Sequence, residues 1–367
     1  MELSSEDALR LNVLLANHPQ AIRIDESSMT LFALSDKGEA RIVLNPNCRD
    51  DRYLRKIREL LSGQVLGFPG GYPVFLNRWS RMGQARDEHL EQLLLLGEPE
   101  AVVAFTSAKG LTDELARRAW WTGQNPGNAR RMLGNPQVVK GEMGPELASY
   151  LIDYLPFESE PMRIIESLRL VLQPGLISDE ERAGLWKRCQ RKPAYYLGFL
   201  AAMPDDLPET WPARQMSDRE LSDLQALAST GNPFARLLLR ISSSSGQGFL
   251  VTVGQVMEKP ANQDVVTLLL DLLRDNLSLL RPAGAPDQTL DELLAEAGSL
   301  DSESFETCRR MVSHREAELR ALYLLSGLGY GVVRPVFSKS DAIGSLMCRK
   351  LEPVFKVLRE QLAVLQG

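Results

Sequence analysis

The chain has 367 residues, 44% hydrophobic and 25% charged, with a formal net charge of -6. That is ordinary for a globular protein long enough for two or three domains, and the acidic balance speaks against a generic nucleic-acid binder, although a local basic face can hide in an acidic total. No apolar run reaches the ~18–20 residues that span a bilayer. The opening MELSSEDALRLNVLL lacks the basic segment and small-residue cleavage site of a secretory signal, so a cytoplasmic location is expected.

Taken in chain order, Ser4 to Asp7 precedes apolar residues at Leu9, Leu11, Val13, Leu14 and Leu15. A capping residue before helical spacing predicts a helix to about Asn17. AIRID, 21–25, is β-prone. Two apolar runs, Thr30 to Leu34 and Ala40 to Leu44, flank the polar turn Ser35-Asp36-Lys37-Gly38 and predict a β-hairpin. A short helix is then expected from Arg52 to Leu61, stopped by Gly63.

From Arg52 to Arg86 the basic residues are Arg52, Arg55, Lys56, Arg58, Arg78, Arg81 and Arg86, against one acid, Glu59. Tyr53, Phe68, Tyr72, Phe75 and Trp79 are interleaved with them. Guanidiniums among aromatics are the residue types that contact an anionic partner, and Arg52, Arg55, Arg78, Trp79, Arg81 and Arg86 are the candidate partner-binding residues. The plainer reading is a solvated face, or arginines paired with acids elsewhere in the chain. Phe68-Pro-Gly-Gly-Tyr72 matches neither phosphate-loop nor dinucleotide patterns and reads as a turn.

Beyond residue 88 the β pattern fades and helices of about 10–16 residues are expected, punctuated by Pro, Gly and Asn. RRAWWTGQNPGNARRML, 117–133, raises a sharper question, because arginine pairs bracket two tryptophans. Thr112-Asp113-Glu114 starts a helix with acids in its first turn, and Arg117 and Arg118 sit near its end, where cations are favoured. Asn125-Pro126 starts the next helix and Gly134 ends it. The stretch therefore reads as helix, turn, helix, with Trp120 in the core and Trp121 partly exposed. Asn135-Pro136 and Asn232-Pro233 repeat the start signal. Ser178 to Glu181 is a capping box before a helix over Arg182–Arg191. Tyrosine-rich helices ending at Pro156 and Pro204 lie 48 residues apart, close to the helix-pair period of HEAT-like arrays.

PDDLPETWP, 204–212, reads as a connector, and ISSSSGQG, 241–248, as a flexible joint or loop. Asp264 to Leu280 forms an amphipathic helix. The acidic segment 282–308 carries Asp287, Asp291, Glu292, Glu296, Asp301, Glu303 and Glu306 and no Lys or Arg. It complements the basic block in sign. The run Gly327-Leu328-Gly329-Tyr330-Gly331 follows a helical pattern rather than a strand, so it reads as a helix exit, not a dinucleotide loop. The cysteines, Cys48, Cys189, Cys308 and Cys348, form no C-x-x-C pair, and His18, His89 and His314 are scattered. These spacings predict no metal centre, no cofactor site and no catalytic constellation.

The expected architecture is α+β overall and mainly α: a small α+β domain over 1–90, a helical domain over 91–208, and a C-terminal helical domain over 209–367. LNVLLANHPQAIRIDES (11–27), RELLSGQVLGFPGGYPVFLNRW (58–79), LEQLLLLGEPEAVVA (90–104), GLTDELARRAWW (110–121) and LRLVLQPGLI (168–177) resemble the sulfur-reduction protein DsrS family. That family accompanies the reverse-acting dissimilatory sulfite reductase system of sulfur-oxidising bacteria, and the resemblance is strongest over about residues 1–200. It implies a cytoplasmic accessory protein of dissimilatory sulfur oxidation, with a protein of that pathway as partner. It brings no catalytic motif, so no catalytic residue is carried over. The leading expectation is a non-catalytic protein acting by protein–protein interaction. The alternatives are a nucleic-acid-binding regulator of sulfur-oxidation genes and a cysteine-based sulfur-handling protein.

Overall fold

A computed structural model describes residues 3–66, 90–281, 284, 287–339 and 342–366. Arg78, Trp79, Arg81 and Arg86 lie outside the described residues, as do Phe68, Gly70, Gly71, Tyr72 and Phe75. The architecture is mainly α with a small antiparallel sheet near the N-terminus. The chain divides into two compact units, residues 1–156 with 173–177, and 157–172 with 178–367. The expected boundaries at 90 and 208 both fall inside these units.

In the first unit, α1 (Ser5–Ala16) begins at Ser4, whose side chain accepts from the backbone N–H of Asp7. The strands β1 (Ala21–Asp25), β2 (Thr30–Ser35) and β3 (Gly38–Val43) follow in sheet order, as antiparallel neighbours. Asp25 builds the first turn by accepting from Ser27 and Ser28, and those side-chain hydrogen bonds hold its carboxyl down to about 2. Gly38, at φ 110°, closes the second turn in a conformation that a side chain would strain. Strand alternation turns Ile22, Leu31 and Ala33 inward. They join Leu11 and Leu14 of α1 and Tyr53, Leu54, Ile57 and Leu61 of α2 (Asp50–Leu66) in one core. The buried Tyr53 hydroxyl donates to Asp7 at 2.5 Å, tying α2 to α1.

Helix α2 runs through Gly63 instead of stopping there. A lone glycine costs a helix only about 1 kcal/mol, and the buried face of α2 outweighs it. After a 3-10 turn at Glu91–Leu95 come α3 (Pro99–Thr106), α4 (Asp113–Thr122), α5 (Pro126–Leu133), α6 (Pro136–Val139) and α7 (Met143–Tyr154). Thr112 caps α4, and Asn125 and Asn135 cap α5 and α6 ahead of proline. Trp120 is buried and meets Tyr150 of α7 edge-on, 4.7 Å between ring centroids.

The second unit holds α8 (Pro161–Val171), α9 (Asp179–Lys187), α10 (Ala194–Ala202), α11 (Asp218–Ser229), α12 (Pro233–Ser242), α13 (Ser244–Glu258), α14 (Gln263–Asn276), α15 (Leu290–Gly298), α16 (Glu303–Met311), α17 (Glu316–Leu325), α18 (Tyr330–Phe337) and α19 (Gly344–Gln366). The capping box at Ser178 and Glu181 is present, but α9 ends at Lys187, short of Arg191. ISSSSGQG is not a flexible joint. Ser243 ends α12 and caps α13, accepting from the N–H of Gly246. A Cβ on Gly246 would lie 2.3 Å from the Arg240 carbonyl oxygen, so glycine permits the tight join of the two helices. The connector 204–212 lies within this unit, tied by Asp205 to Arg240 and by Asp206 to Arg182.

Candidate functional site

Helix α2 has two unlike faces. Its apolar positions recur at three- and four-residue spacing and are buried, which leaves Arg52, Arg55, Glu59 and Gln64 in solvent. Arg52 and Arg55 are on that exposed side, and Arg49 precedes the helix at the same spacing of three. The side chains of Arg49 and Arg55 are 79% and 70% exposed, and among the described residues each pairs with a neighbouring exposed acid, Asp51 at 3.5 Å and Glu59 at 3.1 Å. Such exposed pairs hold a guanidinium weakly, about 0–1 kcal/mol, so these cations stay open to an incoming anionic group. Arg58 behaves differently. It turns inward and pairs at 2.5 Å with both Glu26 and the buried Glu98. The structure thus separates Arg58 from Arg52 and Arg55, which the sequence placed in one basic block.

The arginines around the double tryptophan are engaged within the protein. Arg117 binds Glu114 in a two-bond fork at 2.7 and 2.8 Å, and Arg118 bonds both Glu114 and Glu91. The Arg117 hydrogen bonds, helped by Arg118 and opposed by slight burial, hold the Glu114 carboxyl down to about 2. Arg130 is buried. Trp121 is half-buried, and its Nε1 donates to Glu39 of β3 at 3.0 Å. Its ring covers the guanidinium of Arg23 at 4.9 Å, while Phe32 covers that group at 4.6 Å. Trp121 therefore clamps α4 to the sheet and does not form an open stacking platform for bases.

Three acids of the acidic segment, Glu292, Glu296 and Glu306, are committed to their own unit, while Asp287, Asp291, Asp301 and Glu303 are exposed. Glu292 closes a capping box with Thr289 that the sequence reading missed, although T-x-x-E is the signal for one. Glu296 takes bonds from Arg281, Gln288 and Tyr323, and Glu306 pairs with Arg309 at 2.7 Å.

The glycine run links α17 to α18, and its glycines are not at positive φ. Steric approach requires them instead. A Cβ on Gly327 would lie 2.4 Å from Leu293, and one on Gly331 would lie 2.5 Å from the Gln288 carbonyl oxygen. The segment before α15 thus crosses the run at a distance that only glycine allows.

Cys189 and Cys308 are fully buried, and burial pushes both thiols up, that of Cys308 to about 11. A protonated, enclosed thiol is a poor nucleophile. Cys48 and Cys348 are half-buried. Among the described residues no group of three or more His, Cys, Asp or Glu side chains is placed to hold a metal ion, and no helix is long and apolar enough to cross a membrane. No family model, curated protein or solved structure matches this chain.

Proposed function

We propose that the protein is a non-catalytic docking protein that binds an acidic partner through the outer face of α2. The observation that carries this reading is the row Arg49, Arg52 and Arg55, all exposed, with Arg49 and Arg55 in weak pairs with neighbouring exposed acids. The internal engagement of Arg117, Arg118 and Trp121 supports it further, because it removes the rival surface from consideration. The burial of Cys189 and Cys308 favours docking over thiol chemistry at those two residues. The setting, dissimilatory sulfur oxidation in the cytoplasm, rests on the resemblance to the DsrS family.

The test uses wild-type protein and the Arg52→Ser/Arg55→Ser variant as baits in an extract of sulfur-oxidising cells. We expect acidic proteins of the sulfur-oxidation machinery on the wild-type bait at low salt. The variant should lose them without a change in melting temperature, because exposed charges act mainly on encounter. Equal capture by both baits would overturn the α2 surface. Recovery of nucleic acid with steep salt dependence, or of a persulfide on Cys48 or Cys348, would replace docking by one of the rival functions.

A further inference from the structure

Among the described residues no strand pairs with the outer edge of β3. The strand pairs with β2 on one side, and five of its six residues are exposed. The Leu44 N–H donates to the Met29 carbonyl at 2.8 Å, which sets the phase of the ladder. Antiparallel pairs alternate between bonded and non-bonded. With the observed register, Gly38, Ala40 and Ile42 turn their backbone groups toward β2. The N–H and C=O groups of Glu39, Arg41 and Val43 therefore point away from the sheet. A row of outward backbone donors and acceptors is a template for a further strand.

We propose that β3 pairs antiparallel with β3 of a second copy of this chain, about a twofold axis through Ala40. The charges on the strand select this occupant and this register. With Ala40 opposite Ala40, Glu39 faces Arg41 of the second copy, and Arg41 faces its Glu39. Both pairs join residues whose backbone groups point outward, so both can exchange ladder hydrogen bonds. A shift of the axis to Glu39 would set Glu39 against Glu39, and a shift to Arg41 would set Arg41 against Arg41. Like charges directly opposite destabilise a sheet, so these neighbouring registers are disfavoured. The small Ala40 side chain suits the close approach of a non-bonded pair at the axis. Glu39 already accepts from Trp121 and Arg23, and Arg41 of the second copy would extend that ion pair to three members. The result is one continuous sheet of twice three strands. This inference does not depend on the α2 docking surface.

Sedimentation equilibrium and native mass spectrometry on the full chain test it. Wild-type protein should dimerise, and Arg41→Glu, which sets Glu39 against a glutamate, should weaken the dimer roughly tenfold. Glu39→Arg should weaken it in the same way, while an equimolar mixture of the two variants should form a mixed dimer, because every cross pair is again of opposite sign. Ala40→Cys should give an intersubunit disulfide under mild oxidation, since directly opposed strand residues lie within disulfide reach. Wild-type protein serves as the control for the native cysteines. A wild-type chain monomeric at about 100 μM, or an Arg41→Glu variant that dimerises as tightly as wild type, overturns the proposal. So does a dimer in which Ala40→Cys fails to cross-link, because it would rest on another surface or register. Each variant is checked for an unchanged circular-dichroism spectrum. Should Glu39→Arg fail to fold, Arg41→Glu and Ala40→Cys decide the matter alone.

Discussion

Arginine plays opposite parts in two regions of this molecule. In the first unit, Arg49, Arg52 and Arg55 stand in solvent, Arg49 and Arg55 in weak exposed pairs with Asp51 and Glu59. In the second, Arg315 is 5% exposed and lies between Glu220 and Glu318, with a further bond to the Gln215 carbonyl. Arg214 extends this cluster to Glu318 at 3.0 Å and donates to the last carbonyls of α19, at Val364 and Leu365. Burial works against the charge of Arg315, but the two glutamates outweigh it and raise its pKa above the ordinary guanidinium value. The same side chain is a structural tie in one setting and an open contact in the other. Burial and the number of carboxylates within reach make the difference.

Four substitutions sharpen or break that contrast. Arg315→Ala takes the central cation from Glu220 and the buried Glu318, leaving Glu318 its bond to Arg214 and Glu220 its contact with His314. It should cost about 3 kcal/mol in urea unfolding, the lower end of what breaking a buried pair costs. A loss below about 1 kcal/mol would place Arg315 with the surface arginines instead. Gly331→Ala tests whether the glycine run serves close packing. The added methyl meets the Gln288 backbone, so a loss of about 1–3 kcal/mol is expected, and a neutral result would refute the steric account.

Glu114→Gln probes an intermediate case, since Glu114 is roughly half exposed yet forked by Arg117. Its carboxyl titrates at about 2 in the folded protein, below the ordinary 4.5. The ionised form is thus the one that the fold favours. Its contribution is complete above about pH 4.5 and is lost as pH falls toward 2. The variant should show a flatter acid limb between these values, with a difference well under about 1 kcal/mol because solvent screens the pair. An unchanged acid limb would mean that the fork does not contribute. The smallest effect belongs to Arg52→Ser/Arg55→Ser, whose unfolding free energy should stay within about 0.5 kcal/mol of wild type. A clear loss there would show that these arginines are ties after all, and would remove the basis of the docking surface.

The local elements were largely legible in the sequence. The hairpin followed from two apolar runs around Asp36-Lys37-Gly38, and the helix starts followed from Ser4, Thr112, Asn125, Asn135, Ser178 and Asn232, because a cap and its helix are neighbours in the chain. Two misreadings share one cause. Gly63 and the serine-glycine run at 241–248 carry breaker residues, but tertiary burial of α2 and the tight join of α12 to α13 override their local preference. Of the candidate partner residues, the structure keeps Arg52 and Arg55 in the open, and the other four lie outside the described residues.

What the sequence determined by itself was the class of the fold, the hairpin, the helix boundaries set by caps and prolines, and the placement of Trp120 in the core. These depend on interactions between residues a few positions apart. Only the tertiary structure decided which arginines are engaged and which are open. Arg58 finds Glu26 and Glu98, Trp121 finds Glu39 across 82 positions, and Arg315 finds Glu220 across 95. Charges so far apart in sequence leave no periodic trace, and only the packing of the core between them brings them within bonding distance.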